Sequence, residues 1–250
     1  MCLVADERAA EPPYEALDLS DDSMTAHPAS PKETQTRPLT GFAARDALAL
    51  LDWKHQVFQL YADIRSEHDP ETAWRNWRAT RDLLFRDHPQ SPLSSEAREA
   101  FSGCDYFDYD PAWRVTAEVV DTEPVPRIIA ASTNGTFGFT RIGLARFHFG
   151  DERELALELA WNEGYGGGIF LAFTDGTTGV DTYGGGRYLL DTVKGSDLGF
   201  DRESGTLVLD FNFAYNPSCS YDQRWSCPLA PQANRIPLPV TAGERHRSSP

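Results

Sequence analysis

The chain has 250 residues, 40% hydrophobic and 12% aromatic, with a formal net charge of −15 and only three lysines among its 23 basic side chains. A surface this acidic repels phosphodiesters and anionic headgroups, which argues against nucleic acid or a membrane as a partner. No run approaches the roughly 18–20 apolar residues that cross a bilayer, and Met1–Ala5 passes straight into Asp6-Glu7-Arg8 without the regions of a secretory signal. A cytoplasmic protein is therefore expected, with its four cysteines held mostly as thiols.

Residues 1–40 are rich in Pro, Ser, Thr, Asp and Glu and show no periodicity, so a disordered tail is expected there. Met24-Thr25-Ala26 offers an alternative start, which would make residues 1–23 an over-long gene assignment. A single domain is expected over 41–245, with 246–250 as a second loose tail.

From about 42 to 100 the period is helical. Trp53, Val57, Leu60, Tyr61 and Ile64 share one face. Asp69-Pro70-Glu71 supplies a cap, a first-turn proline and an acid at the positive end of the dipole. The next helix aligns Trp74, Trp77, Arg81, Leu84 and Phe85 and stops at Pro89, and a short third helix starts near Ser94-Ser95-Glu96. Arg75, Arg78, Arg81 and Arg86, interleaved with Asp82 and Asp87, read as a solvated helix face rather than an anion site.

From residue 113 the period becomes two. Arg127–Thr133 and Thr136–Thr140 flank Asn134-Gly135, a hairpin turn signal. Ala145, Phe147 and Phe149 form one apolar row, and Leu155, Leu157, Leu159 and Trp161 a second on the same buried face. His148 then falls on the polar face, beside Glu158. Ile169–Phe173 is apolar on both faces, as a central strand would be, and Leu207, Leu209, Phe211 and Phe213 fill one face of a later strand. The expected fold is α+β, mainly β: an antiparallel sheet curled into a barrel or sandwich, with two to three N-terminal helices packed on it.

Familiar catalytic signatures are missing: no Gly-x-Ser-x-Gly elbow, no phosphate-cradling Gly-x4-Gly-Lys and no His-Glu-x-x-His. The six scattered histidines offer no ligand pair, so no metal is expected, and no cofactor is indicated. The segment 183–235 carries most of what remains. Gly184, Gly185 and Gly186 permit a close backbone approach, either to a ligand or to another strand. Arg187 could aim its fork at an anionic group or form a structural ion pair with Asp175, Asp181 or Asp210. Asp210, Asn212 and Asn216 share the non-core side if their strand runs straight, where they would meet solvent or line a pocket. Cys219 and Cys227 read first as buried thiols, second as a disulfide or redox pair.

These segments together resemble domain of unknown function family 1684. The matching pieces run from Trp74–Leu84 and His88–Leu93 through Tyr106-Phe107-Asp108-Tyr109-Asp110-Pro111 and Trp113-Arg114. They continue with Phe173-Thr174-Asp175, Asp181–Tyr188, Asp210-Phe211-Asn212 and Ala214-Tyr215-Asn216-Pro217, and end with Cys219, Tyr221, Cys227-Pro228, Asn234 and Ala242-Gly243-Glu244. Asp181 stands where the family usually has a glutamate, and Gln232-Ala233 replaces a Pro-Glu-like pair. The resemblance implies a unit over about 45–245 and no activity.

Two classes of function follow. In the first, Tyr106, Tyr109, Trp113, Tyr183 and Gly185 wall a small-molecule site with Asn212 and Asn216. Arg187 binds an anionic metabolite there, and Asp175, Asp181 or Asp210 acts as acid or base. In the second, the domain is a non-catalytic binding or interaction module; a thiol redox or metal protein using Cys219 and Cys227 is a further alternative. A cavity containing Arg187 favours chemistry, whereas burial of Arg187 in an ion pair removes the enzyme reading.

Overall fold

The computed structural model describes residues 44–246 apart from 152–153 and 165, so the expected tails at 1–40 and 246–250 lie outside the described residues except for His246, whose amide donates to the Asp181 carbonyl at 2.8 Å. Three helices come first: α1 (Ala44–Ser66), α2 (Pro70–Asp87) and α3 (Ser95–Glu99). The predicted face of α1 is the packed one, with Leu60, Tyr61 and Ile64 buried. At the start of α2 the Asp69 carboxylate accepts from the amides of Glu71 and Thr72, with Pro70 in the first turn. Ser94 caps α3 in the same way, accepting from the Ala97 amide at 3.2 Å. No described helix is long and apolar enough to cross a membrane.

Seven strands follow: β1 (Arg114–Ala130), β2 (Thr136–Phe147), β3 (Leu155–Asn162), β4 (Gly168–Phe173), β5 (Arg187–Asp191), β6 (Phe200–Asp201) and β7 (Thr206–Asp210). They form one antiparallel sheet in the order β5-β4-β3-β2-β1-β7-β6. The sheet is open, with β5 and β6 at its edges, and does not close into a barrel. The hairpin signal at Asn134-Gly135 marks the β1–β2 connection. The last rung pairs Ala130 with Thr136, so a five-residue loop replaces the expected two-residue turn.

Ala145, Phe147, Phe149, Leu155, Leu157 and Leu159 share one core, as their alternation requires, and Ile236, Val240 and Ala242 of the C-terminal segment cover them. Trp161 departs from this row and is 43% exposed, beyond the register shift that β2–β3 pairing undergoes between Arg141 and Gly143. A second cluster on the sheet gathers Ile129, Phe139, Phe170 and Tyr188. The helices make a third, in which Trp74 and Trp77 meet Tyr106, Leu198 and Phe213. The expected His148–Glu158 pair does not form. Register sets Glu158 opposite Leu144, and Glu158 instead accepts from Arg127 at 2.8 and 3.1 Å and from Arg141 at 3.4 Å.

Between β3 and β4 regular pairing runs from Asn162↔Gly168 to Ala160↔Phe170. The next rung would join Glu158 to Ala172, and the side chain of Asn234 stands there in place of a strand. Its Oδ1 accepts from the Glu158 amide (2.7 Å), and its Nδ2 donates to the carbonyls of Glu158 and Ala172 (3.0 Å each). Asn234 is 1% exposed. Asn234→Ala leaves these backbone groups unpaired in the interior and is expected to cost about 2–4 kcal/mol. Urea denaturation monitored by tryptophan fluorescence measures this, and a loss well under 1 kcal/mol would contradict the wedge.

Candidate functional site

Gly184–Gly186 form a tight turn in which the Gly186 amide donates to the Tyr183 carbonyl at 3.0 Å. Gly186 has φ +86°, and a Cβ there would meet the Phe173 carbonyl oxygen at 2.6 Å. The glycines thus allow close approach to the neighbouring strand rather than to a ligand. A Cβ on Gly185 would strike the Tyr183 ring and Leu229.

The turn delivers Arg187 into the interior, where it is 1% exposed. Nη2 donates to Asp175 Oδ2 at 2.8 Å and to the Val240 carbonyl at 3.1 Å. Nη1 donates to the carbonyls of Ala242 and, at 3.5 Å, of Glu244. The other Asp175 oxygen accepts from the amide and hydroxyl of Thr177 at 2.6 Å each and from the Val240 amide at 3.4 Å. Arg187 is therefore the structural ion-pair partner of Asp175 and no anion clamp, and Asp175 has no oxygen left for acid–base work. The pair ties residues 240–244, a C-terminal strap, onto the edge of the sheet.

Asp210 and Asn212 are also internal, because the chain leaves β7 and turns into a 3-10 helix at Phe211–Phe213 instead of running straight. Both are fully buried. Asp210 accepts from the Asn212 amide and side chain (3.0 and 2.8 Å) and from Arg114 (3.1 Å). Burial raises its carboxyl pKa, against the pull of the Asn212 and Arg114 hydrogen bonds. Asn212 exchanges two hydrogen bonds with the Asp110 backbone. The predicted aromatic wall is dispersed in the same way. Trp113 packs edge-on to Phe149, and Tyr109 sits against Trp74 with burial lifting its phenol to about 12. Tyr106 lies against Trp77 and accepts from Arg81 Nε at 3.1 Å.

What the strap does assemble is a cleft of about 360 Å³, bounded by Gly103, Cys104 and Asp105 on one side and by Asn216, Ser220, Tyr221, Glu244, Arg245 and His246 on the other. Glu244 is its buried centre at 1% exposure. It accepts from Arg81 Nη2 (2.8 Å), from the Asn216 amide (2.9 Å) and, through its other oxygen, from the Tyr221 hydroxyl. Arg81 is thus drawn off the solvated face expected for the α2 arginines. Its side chain is 12% exposed, and Arg78 lies over the rings of Trp74 and Tyr106; only Arg75 and Arg86 fit that reading. Burial pushes the Cys104 thiol up, and Glu244 adds to the effect.

Of the predicted residues, Asn216 alone lines this cleft, and Asp181 and Tyr183 adjoin it. Asn216 Nδ2 donates to the Arg245 carbonyl at 2.9 Å. Its Oδ1 and the Ser220 hydroxyl oxygen are buried without a partner. Arg245 Nη2 donates to Asp181 Oδ1 at 3.3 Å and Nε stands 3.9 Å from Asp105 Oδ2. The Tyr183 ring meets His246 at 5.4 Å, and its hydroxyl is 3.6 Å from Cys219 Sγ. Cys219 and Cys227 are both free thiols. Glu244, Arg245 and Tyr221 escaped the sequence reading as site residues. Tyr221 and Glu244 stand in the sequence only among the segments that resemble the family. Among the described residues no group of three or more His, Cys, Asp or Glu could hold a metal ion.

The profile of the family described as "Protein of unknown function (DUF1684)" matches residues 99–245, so the segments of the resemblance within α2 and at 88–93 fall outside the match. The solution NMR structure of an uncharacterized protein of Haloarcula marismortui is similar over 70% of this chain and 93% of its own, at 34% identity and a TM-score of 0.53. No curated protein matches the chain.

Removing one member of a buried, hydrogen-bonded ion pair strands the other. Arg187→Met is therefore expected to lower folding stability by about 3–5 kcal/mol, read from urea or thermal unfolding. A variant as stable as the wild type would return Arg187 to the role of ligand clamp.

Proposed function

The chain belongs to the DUF1684 family, whose function is unknown, and on that premise we propose that the domain binds a small polar metabolite in the cleft beside Glu244. Arg245 takes the anion-recognising role that Arg187, spent inside the fold, does not fill. The observation that carries the reading is a cleft of about 360 Å³ with two unpartnered buried oxygens, Asn216 Oδ1 and Ser220 Oγ, in its wall. Pockets that hold small ligands start at roughly 300 Å³. A buried acceptor left unpaired costs about 1–3 kcal/mol, which a donor on the ligand would offset after a small side-chain rotation.

The charges around the cleft favour a ligand with two kinds of group. Arg245 and His246 are half-buried, and the Arg245 contacts at 3.3 and 3.9 Å are long. A carboxylate or similar anion could therefore compete for its fork. Asp105 and Glu244 would repel a purely anionic molecule, so the ligand also brings hydrogen-bond donors, as an amino or hydroxy acid does. Of the three aspartates considered for acid–base work, Asp175 and Asp210 are enclosed in structural pairs. That leaves binding better supported than catalysis. The free thiols and the acidic composition support a reducing, cytoplasmic setting.

A thermal-shift screen of the full chain against amino acids, hydroxy acids, dicarboxylates and amines tests the proposal. A ligand at a hundred times its Kd adds about 2.7 kcal/mol to folding stability. An amino or hydroxy acid is expected to raise Tm of the wild type and to leave that of Arg245→Ala unchanged. Equal shifts in both proteins, or a response confined to amines, would refute it.

A further inference from the structure

Two places in the chain set a glycine after an asparagine or an aspartate: Asn134-Gly135 and Asp175-Gly176. The pattern is reactive, because a glycine amide, with no Cβ beside it, can reach the preceding side-chain carbonyl and close a succinimide ring. The fold treats the two places in opposite ways. Asp175 is 4% exposed, and its carboxylate oxygens are engaged by Arg187, by Thr177 and by the Val240 amide. The Gly176 amide donates to the Leu238 carbonyl at 2.9 Å. A Cβ on Gly176 would stand 2.9 Å from the Pro239 nitrogen, so the backbone there has no room to swing.

Asn134 and Gly135 close the β1–β2 loop, and both are exposed. The first half of that loop is fastened down. The Ser132 amide donates to the Cys227 carbonyl at 2.8 Å, the Ser132 hydroxyl to the Trp225 carbonyl at 3.2 Å, and the hydroxyls of Thr133 and Ser226 lie 2.7 Å apart. The second half is held through the Gly135 carbonyl, which accepts from the Ala131 amide at 3.0 Å. Among the described residues, the Asn134 side chain and the Gly135 amide have no hydrogen-bond partner. Gly135 has φ +146°, and no atom beyond its chain neighbours lies within 4 Å of where a Cβ would stand. The nitrogen that would attack and the carbonyl it would attack are thus both unencumbered.

We infer that Asn134 is a self-modification site, at which the folded protein converts asparagine to aspartate and isoaspartate with water as the only co-reactant. The Gly135 amide gives its proton to hydroxide, and its nitrogen attacks Asn134 Cγ. The new Cγ–N bond closes the ring, the bond to the side-chain nitrogen breaks, and that nitrogen takes a proton from water and leaves as ammonia. Water then adds to either ring carbonyl and opens the ring, leaving aspartate or isoaspartate at residue 134. Either product adds a negative charge to a chain already at −15. Isoaspartate also lengthens the main chain by a methylene, between loop ends joined by the Ala131–Gly135 hydrogen bond. The anchors at Ser132 and Thr133 lie upstream of the altered bond, so the loop stays seated on residues 225–227. The other asparagines are guarded. Asn76 lies within α2 and Asn162 in β3, while Asn212, Asn216 and Asn234 are buried, and Pro217 after Asn216 has no amide proton to lose. The site is independent of the proposed ligand cleft and stands or falls separately.

The test incubates the folded full chain in mildly alkaline buffer made with heavy-oxygen water, digests it with trypsin in ordinary water, and locates the label by peptide fragmentation. The peptide from Ile128 to Arg141 is expected to exchange its side-chain amide for a labelled carboxyl and to separate into aspartate and isoaspartate forms. Asn134 is expected to react at least roughly tenfold faster than any other asparagine and than Asp175, since exposed, weakly bonded loops open most readily. In urea Asp175 loses its enclosure and is expected to take up label as well. Native protein in which Asn134 keeps its amide, or loses it no faster than the other asparagines, would overturn the inference. Asp175 left unlabelled in urea would overturn the claim that the fold separates the two sites. Asn134→Gln is expected to keep the loop and lose the fast labelling; label appearing in that variant at the wild-type rate would overturn the ring-closing step.

Discussion

The Arg187–Asp175 ion pair is the interaction on which the C-terminal third of the domain depends. Burying two charges is unfavourable unless their hydrogen-bonding capacity is nearly exhausted. Here Asp175 accepts from Arg187, from Thr177 twice and from the Val240 amide, while Arg187 reaches the carbonyls of Val240, Ala242 and Glu244. Only its Nε lacks a partner. The charges are kept in the interior by the backbone of the strap, and the strap is kept in place by the charges. Neither arrangement is stable without the other.

From that latch the geometry propagates outward. The strap ends in Glu244, whose carboxylate gathers Arg81 from α2, Tyr221 and the Asn216 amide. One buried acid thereby joins the helical layer to the loops beyond the sheet. Upstream, Asn234 fills the gap between β3 and β4 with the hydrogen bonds of a missing rung. Between the two polar anchors, Ile236, Val240 and Ala242 cover the apolar face of the sheet. A segment with no regular secondary structure except a short 3-10 turn thus does the work of an extra layer, because side chains satisfy what a strand's backbone would have satisfied.

How much of this was legible in the sequence depended on the range of the interaction. Local signals read true: the packed face of α1, the Asp69 cap, the β1–β2 hairpin apart from its longer loop, and the apolar rows of β2 and β3 short of Trp161 all follow from neighbours a few residues apart. The readings that failed needed partners far along the chain. Of the two readings of Arg187, the ion pair with Asp175 is the one that forms, while the carbonyls that use up its other donors lie 53–57 residues away. Arg81 looked solvated because Glu244, its partner, is 163 residues distant. A straight strand would set Asp210 and Asn212 on the non-core side, against solvent or a pocket, and the 3-10 turn at Phe211 carries them inside. The cleft was least visible, since its walls come from residues 101–105, 216–221 and 244–246, and no single segment shows more than one side of it.

Arg187 acts on the strap and reaches the cleft only through it. Hydrogen–deuterium exchange of Arg187→Met against the wild type, under conditions where both are folded, tests this directly. The amides of Val240, Glu244, Arg245 and His246, bonded to Asp175, Ala214, Asp105 and Asp181, should lose protection while those of β2 and β3 keep theirs. Unchanged protection across residues 240–246 would contradict the account, as would a uniform loss over the whole sheet.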